Sequence, residues 1–511
     1  MESQPLNYMI KRPSFKLKFI LIVLLACISF GVYINSLQGG FLIDDHTGIL
    51  ENKNIHDLNS YLKNNFNFSP GAFVELVRAV IWHFFGSNTL PYHLFNVLAH
   101  VVTVVLIFAL CNILFKNITL SFLTGLIFAV HPIHTEAVSW ISGGPYVLSA
   151  LFFTLSLIFY IKSEQSMFYL VLTVFAFVLS YLTGNSAVSL PLIFIVYELF
   201  FRGKTQDRGV FSRKIRILVL AALLLTAIMV AAIFFLRRNT FIHTIFYFKG
   251  FSYLVVVTKA LLYYLKIIYL PLARGLYHPF AYNSVDTSKL SPAFFVSLSV
   301  LAFSIFLFFK CLKKNKPVSF SIALFFVTYL PYSNIVPVCN IISERYVYLP
   351  SLGVSLFIAA LFLIAWEAIN KDLSSKKVLR IIAMVLLALF ILSYSILTVK
   401  RNNEYKDIIT YWKTNINNFP DGYMAYNNLA GTFYVMGQTE QALAYSWITL
   451  MIKADQPHVW CNLGKVYFEK KDMAMSEFCY KEALKLDKGY PPAIQGMKLI
   501  KEKEPPPKMI K

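Results

Sequence analysis

Between Phe19 and Thr398 the sequence is cut into successive apolar runs by short polar or basic connections. A run of about 20 apolar residues is long enough to cross the hydrocarbon layer as a helix. In lipid, only helices and closed barrels satisfy every backbone N–H and C=O. The runs fall near 19–37, 94–115, 118–131, 147–161, 167–183, 187–201, 217–236, 251–271, 292–310, 318–333, 350–369 and 379–398. They predict an all-α, polytopic membrane helix bundle. Composition agrees: 57% of the 511 residues are hydrophobic and 14% are charged, against about 25% charged in a soluble domain.

The net charge of +21 does not point to nucleic acid, because the basic residues cluster between apolar runs as the positive-inside bias requires. Lys11, Arg12, Lys16 and Lys18 place the N-terminus inside, with the first run as an uncleaved signal anchor. Lys116, Lys162 and the loop carrying Arg202, Lys204, Arg208, Arg213, Lys214 and Arg216 then also fall inside. The alternation holds through Lys310–Lys316 and 371–380 only if 251–271, with Lys259 and Lys266 in mid-segment, does not span. That segment is predicted as an outer amphipathic or re-entrant helix, which leaves about eleven spans. The C-terminus lies outside by this reading, as do the loop 41–92, HPIHTEAVSWISGG (131–144), the region 237–291 and PYSNIVPVCNIISERYVYLP (331–350). Polar motifs gathered on one face of a bundle mark a working face.

After residue 400 the composition becomes that of a soluble helical module, so the chain divides into 1–400 and 401–511. YNNLAGTFYVMG from Tyr426 and WCNLGKVYFEKK from Trp460 lie 34 residues apart, matching the tetratricopeptide (TPR) period. Tyr426/Trp460, Leu429/Leu463, Ala430/Gly464 and Phe433/Tyr467 give the aromatic, Leu, small and aromatic pattern, and Tyr480 and Ala483 complete the second unit. Residues 404–419 supply a preceding half-repeat and 491–503 a capping helix. Such modules usually offer a groove to a peptide or partner. The six cysteines form no CxxC or CxxH pair and indicate no zinc site; Cys461 and Cys479 are the pair open to oxidation if this region is exported.

Several polar residues stand out against this background. Asp44 and Asp45, in GGFLIDDHTGI, sit at the mouth of the first span with His46 beside them. A bare acidic pair there is ordinarily a solvated turn or helix cap. His131, His134 and Glu136 in HPIHTE are placed for metal or phosphate contact or for a hydrogen-bonded structural corner. Arg345 can hold a phosphate bidentately, or pair structurally with Glu344. Arg237 and Arg238, and Lys259 with Lys266, read as interfacial snorkelling.

HPIHTEAVSWISG, then NIISERYVYLPSLG, with the acidic pair in the first outer loop, YHLFNVLAH (92–100) and C-terminal TPRs, resembles the transmembrane-and-TPR-containing O-mannosyltransferases over almost the whole chain. The resemblance implies a GT-C fold and transfer of a sugar, mannose by default, from a polyprenyl-phosphate donor to a protein hydroxyl on the non-cytoplasmic face. Asp44 or Asp45 would be the base, and His131, His134 and Arg345 the donor or phosphate contacts. His46, Glu136 and Glu344 are further candidates, the TPRs would hold the acceptor, and a divalent metal is left open. The membrane is a bacterial inner membrane or, alternatively, that of the ER. Three places depart from the family pattern. Gly144 and Tyr146 stand where an Arg and an Asp are usual, Gly184 and Asn185 where a Lys-Glu pair is, and SPGAF replaces an Arg-Pro in the first loop. Glu75 and Arg78 are the nearby charges that could compensate. The competing expectation is an inactive membrane scaffold that recruits an exported partner through its TPRs.

Overall fold

The computed structural model describes residues 14–201, scattered positions between 217 and 228, and residues 251–270, 292–335, 342–370 and 377–502. The basic loop after residue 201, Arg237, Arg238 and most of the run 217–236 lie outside the described residues.

Every long apolar run in the described residues is helical. Helix α1 (Phe15–Tyr33) starts at Ser14, whose hydroxyl accepts the Leu17 N–H. After the first loop come α2 (Ala72–Phe85) and the long α3 (Leu90–Phe115), with proline in its first turn. A proline there sacrifices only an N–H that has no helical partner. Asn117 caps α4 (Ile118–Val130), and the short α5 (Thr135–Ser139) follows after a bend. Then come α6 (Gly144–Lys162), α7 (Met167–Thr183) and α8 (Leu190–Phe201). Beyond the undescribed stretch lie α9 (Phe251–Tyr269), α10 (Pro292–Cys311), α11 (Lys316–Tyr329), α12 (Ser351–Asn370) and α13 (Lys377–Asn402).

Among the described residues six helices are long and apolar enough to cross a membrane, or seven if α4 and α5, bent by 50° at His131, count as one broken span. The shorter apolar helices α7 and α8 sit beside them. Helix α9 is not in that set. It packs Ala260, Tyr264, Ile267 and Ile268 against Ile133, Tyr346 and Val347, and leaves Lys266 exposed.

Helix α3 packs on α1, α4 and α6, while α12 packs on α4 and α11. Phe128, Phe153, Tyr160 and Phe194 fill the centre, with Tyr160 and Phe194 stacked at 4.1 Å. The outer faces of α1, α7, α10 and α13 expose Phe19, Phe175, Phe303 and Leu386. Apolar exposure this extensive does not persist in water; the chain is a membrane protein.

The C-terminal module comprises α14 (Ile408–Asn418), the hairpins α15 (Tyr423–Val435) with α16 (Thr439–Ile452) and α17 (Pro457–Glu469) with α18 (Met473–Leu486), and the capping α19 (Pro491–Glu502). The small residue of the pattern has a plain steric purpose. A Cβ on Gly464 would lie 2.9 Å from the Tyr480 ring, and one on Gly496 2.3 Å from it. Tyr480 is thus gripped between two glycine notches. Cys461 and Cys479 are buried free thiols. The module is not loosely tethered. Leu42 and Trp140 of the membrane part share one apolar cluster with Tyr405, Tyr411, Trp412 and Leu429.

Gly353, in the first turn of α12, shows how close the membrane helices run. A Cβ there would sit 2.6 Å from the Ser321 carbonyl oxygen and 2.7 Å from the Phe325 nitrogen of α11. Both obstacles are backbone, so no side chain can move aside, and small residues at such seams let helices approach. Gly353→Leu should cost at least about 1–3 kcal/mol and lower the thermal unfolding midpoint in detergent; an unchanged midpoint would show that the α11–α12 seam is looser than this.

Candidate functional site

The first loop returns to the bundle before it carries any acid. Gly39 lies against His93, whose Nε2 is 3.0 Å from the Gly39 carbonyl oxygen, and a Cβ on Gly39 would come within 2.8 Å of that ring. Gly40 N–H donates to the Lys406 carbonyl at 2.8 Å, tying the loop to the start of the TPR module. The chain then turns sharply. Ile43 has φ of 34°, a left-handed conformation that is a genuine outlier for a β-branched residue and costs on the order of 1–3 kcal/mol.

The strained turn separates the two acids. Asp45 is fully buried, and its Oδ2 accepts the Leu42 N–H at 2.8 Å. Its Oδ1 accepts from the Ser142 hydroxyl. Ser142 in turn accepts from Arg78 Nη2 at 3.0 Å. Gly48 leaves room for that arginine, since a Cβ there would sit 3.0 Å from Arg78 Nη1. Burial raises the Asp45 carboxyl to about 6, against the opposing effects of the Ser142 and Leu42 hydrogen bonds and the Arg78 charge. Asp44 points the other way. It is exposed and lines a cleft of about 240 Å³ with Thr47 of its own loop and with Trp412, Asn428 and Asn462 of the TPR module. His46 follows at partial burial and opens the next turn, its N–H bonded to the Ile43 carbonyl at 3.1 Å.

The HPIHTE and ERYVYLP residues form a second, buried nest. His131 uses both ring nitrogens locally: Nε2 is 3.1 Å from the Ile268 carbonyl and Nδ1 accepts the Ile133 N–H at 3.2 Å. His134 Nε2 lies 2.6 Å from the Ser351 hydroxyl. Glu136 accepts the Ser343 hydroxyl at 2.7 Å and the Arg345 N–H at 3.0 Å, and sits 3.3 Å from Arg345 Nη1. The Arg345 guanidinium also lies over Trp140 at 4.7 Å, with Tyr146 and Tyr346 nearby. Glu344 and Arg345 do not pair with each other. Glu344 takes Arg401, at the end of the last span, and burial pushes its carboxyl up to about 7, with Arg401 opposing. Among the described residues no three His, Cys, Asp or Glu side chains converge as metal ligands.

Asp44, Asp45 and His46 therefore share one turn, and His131, His134, Glu136, Glu344 and Arg345 another neighbourhood. Trp140 stands between them, against Leu42 on one side and under Arg345 on the other. Sequence reasoning missed Ser142, Arg401 and the cleft asparagines. Arg401 reads as ordinary interfacial basicity at the end of an apolar run. Of the departures from the family pattern, Gly144 is explained sterically, because a Cβ there would lie 2.2 Å from Asn96 Oδ1. The Asn96 amide is held in place by the Trp140 and Ile141 carbonyls at 3.1 and 3.2 Å.

Asp45 should leave a pH signature. An unfolded carboxyl titrates near about 3.9 and the native one at about 6. Between these values the native state holds a proton that the unfolded state has released, so stability falls as pH rises through the window and is level above it. The thermal unfolding midpoint of the parent protein should drop between pH 4 and 7 relative to Asp45→Asn, which has no such titration. Parallel curves for the two proteins would refute the burial of this acid.

Residues 457–490, the α17–α18 hairpin, match the tetratricopeptide repeat family. Protein O-mannosyl-transferase TMTC3 of Mus musculus is 28% identical over 93% of this chain and 55% of its own length. The Homo sapiens TMTC3 is 27% identical over 91% and 54%. Protein O-mannosyl-transferase F38B6.6 of Caenorhabditis elegans is 24% identical over 83% and 62%. The chain thus spans about half the length of the TMTC3 proteins it matches. The similarity runs through both the membrane bundle and the repeats, so that over most of its length the chain resembles the TMTC-type protein O-mannosyl-transferases.

Proposed function

We propose that the chain is a membrane glycosyltransferase that moves a sugar from a polyprenyl-phosphate donor to a protein hydroxyl on the non-cytoplasmic face, with the TPR module bringing the acceptor. The observation that carries this reading is the division of the acid turn. One carboxylate is buried and fully hydrogen-bonded, and its neighbour is exposed at the end of a span, facing a cleft walled by the repeats. A lipid-linked donor arrives within the bilayer and a protein acceptor from water, so chemistry between them belongs at that level.

Asp44 is the base in this proposal. Its carboxylate takes the proton of the acceptor hydroxyl while that oxygen attacks the anomeric carbon. The bond from the anomeric carbon to the phosphate oxygen breaks, and the lipid phosphate leaves with the electron pair. Asp45 does not touch the acceptor; with Ser142 and Leu42 N–H it holds the turn that aims Asp44. Arg78 supplies positive charge beside the turn, and charge there favours a departing phosphate. Mannose is the sugar suggested by the names of the relatives. The acid turn and the repeats lie on the same side of the bundle, since Gly40 and Lys406 are hydrogen-bonded. That agrees with both standing on the outer face of a bacterial inner membrane or of the ER membrane.

Purified protein supplied with labelled polyprenyl-phosphate sugars and a mixture of protein acceptors should show transfer. Asp44→Asn should lower kcat by about 10²–10⁴-fold, with a smaller loss for Asp45→Asn. Absence of turnover with every donor, or full activity in Asp44→Asn, would sink the proposal.

A further inference from the structure

The cleft that Asp44 lines is built from two modules, and its chemistry is specific enough to say what enters it. One wall is the strained turn with Ile43, Asp44 and Thr47; the other is α15 and α17, with Asn427, Asn428 and Asn462. Helices α15 and α17 are the first helices of successive repeats, the elements that line the concave face of such arrays. Asn428 and Asn462 occupy the same register, one 34-residue period apart. Asn462 Nδ2 is braced by Asn427 Oδ1 at 3.1 Å. The Asn428 side chain is partly buried and makes no hydrogen bond among the described residues.

A carboxamide offers a donor and an acceptor together, which is the complement of a peptide group. Two of them at one repeat spacing suit a chain running along the groove. The volume of about 240 Å³ lies below the usual range of about 300–1,000 Å³ for small-molecule pockets. A short extended segment asks less of such a cleft than a helix, which is about 10–12 Å across. Among the described lining residues Asp44 carries the only charge, beside apolar Ile408 and Val435. A segment with acidic side chains is repelled there, and a neutral hydroxyl-bearing one is not. The gap is also of fixed width, because the Gly40–Lys406 hydrogen bond and the shared Leu42–Trp412 cluster lock one wall to the other.

We infer that this cleft is the acceptor subsite for an extended, neutral peptide segment bearing Ser or Thr. Asn428 and Asn462 hold its backbone while its hydroxyl faces Asp44. The inference rests on the glycosyl-transfer reading and specifies its acceptor as an unfolded stretch or free loop, read through the backbone with little demand on side chains.

The test is fluorescence anisotropy of a short labelled Ala/Gly/Thr peptide with the full-length protein in detergent and no donor present. The same peptide with Glu flanking the Thr is run in parallel. The neutral peptide should bind saturably and the acidic one more weakly. Asn428→Ala should weaken the neutral peptide by about two- to tenfold, the worth of one hydrogen bond. Asn428→Asp keeps the shape, sets a second carboxylate opposite Asp44, and should weaken binding at least as much; it carries the test if the alanine variant does not fold. No peptide binding by the parent protein, binding only of a folded Thr-bearing domain, self-association through the cleft, or equal affinity in both variants would each overturn the inference. Donor consumption by the parent protein is assayed separately. Consumption of donor without peptide binding leaves the transferase reading standing and removes this one. Peptide binding without consumption of any donor removes the transferase reading, and with it the acceptor role of the cleft, leaving a peptide-binding groove.

Discussion

The buried carboxamide of Asn402 is the point on which the architecture turns. Its Nδ2 donates to the Val32 carbonyl and to Asn35 Oδ1, both at 2.8 Å, and its Oδ1 accepts the Ser139 hydroxyl at 2.9 Å. One side chain therefore joins the end of the first span, the root of the acid loop, the HPIHTE corner and the end of the last span. An amide shut away from water must find such partners or cost about 1–3 kcal/mol. This one finds them only if all four segments meet. Its position at the close of α13 fixes where the TPR helices begin, and hence how they stand over Asp44.

The charges around that point follow the same logic. Arg401, the neighbour of Asn402, reaches Glu344 and donates to the Pro132 carbonyl at 3.1 Å. Glu136 receives the Ser343 hydroxyl and the Arg345 backbone N–H, and lies against the Arg345 guanidinium. Removing one member of such a buried pair typically costs about 3–5 kcal/mol, because the other is left uncompensated. HPIHTE and ERYVYLP are thereby bound to one another, with His131 capping the bend and Trp140 turned toward the acid loop. Most of their polar atoms find partners within this corner, while Glu344 Oε1 is buried without a hydrogen bond among the described residues.

How much of this was legible in the sequence depended on range. The spans follow from hydropathy over some twenty residues, and the repeats from a 34-residue period. Both are properties of contiguous sequence; the repeats and the apolar helices recur in the structure, with six or seven of the described helices long and apolar enough to span, against the eleven spans expected. The acid pair was visible as a pair, but which acid is free depends on a left-handed Ile43 and on Ser142, 97 residues further on. No local pattern encodes either. The pairing of charges was equally out of reach. Adjacency suggests Glu344 with Arg345, yet the 3₁₀ turn Glu344–Val347 sends the two side chains to different partners. Asn428 and Asn462 lay in plain view inside the repeat, but their meaning appears only once the repeat is seen to face an acid from another part of the chain.

The same distinction bears on the residues that depart from the family pattern. Gly144 lacks a charge where relatives usually carry one, and on sequence alone that reads as loss. In the structure its place is packed by Asn96, while Arg78 comes in from α2 and lines, with Gly144, a cavity of about 20 Å³. That guanidinium is hydrogen-bonded to the very serine that holds Asp45. A buried carboxylate needs a donor set and a cation nearby, wherever in the chain they originate. Helix α2 meets that requirement here, so the absence of a charge at one position is not its absence from the site.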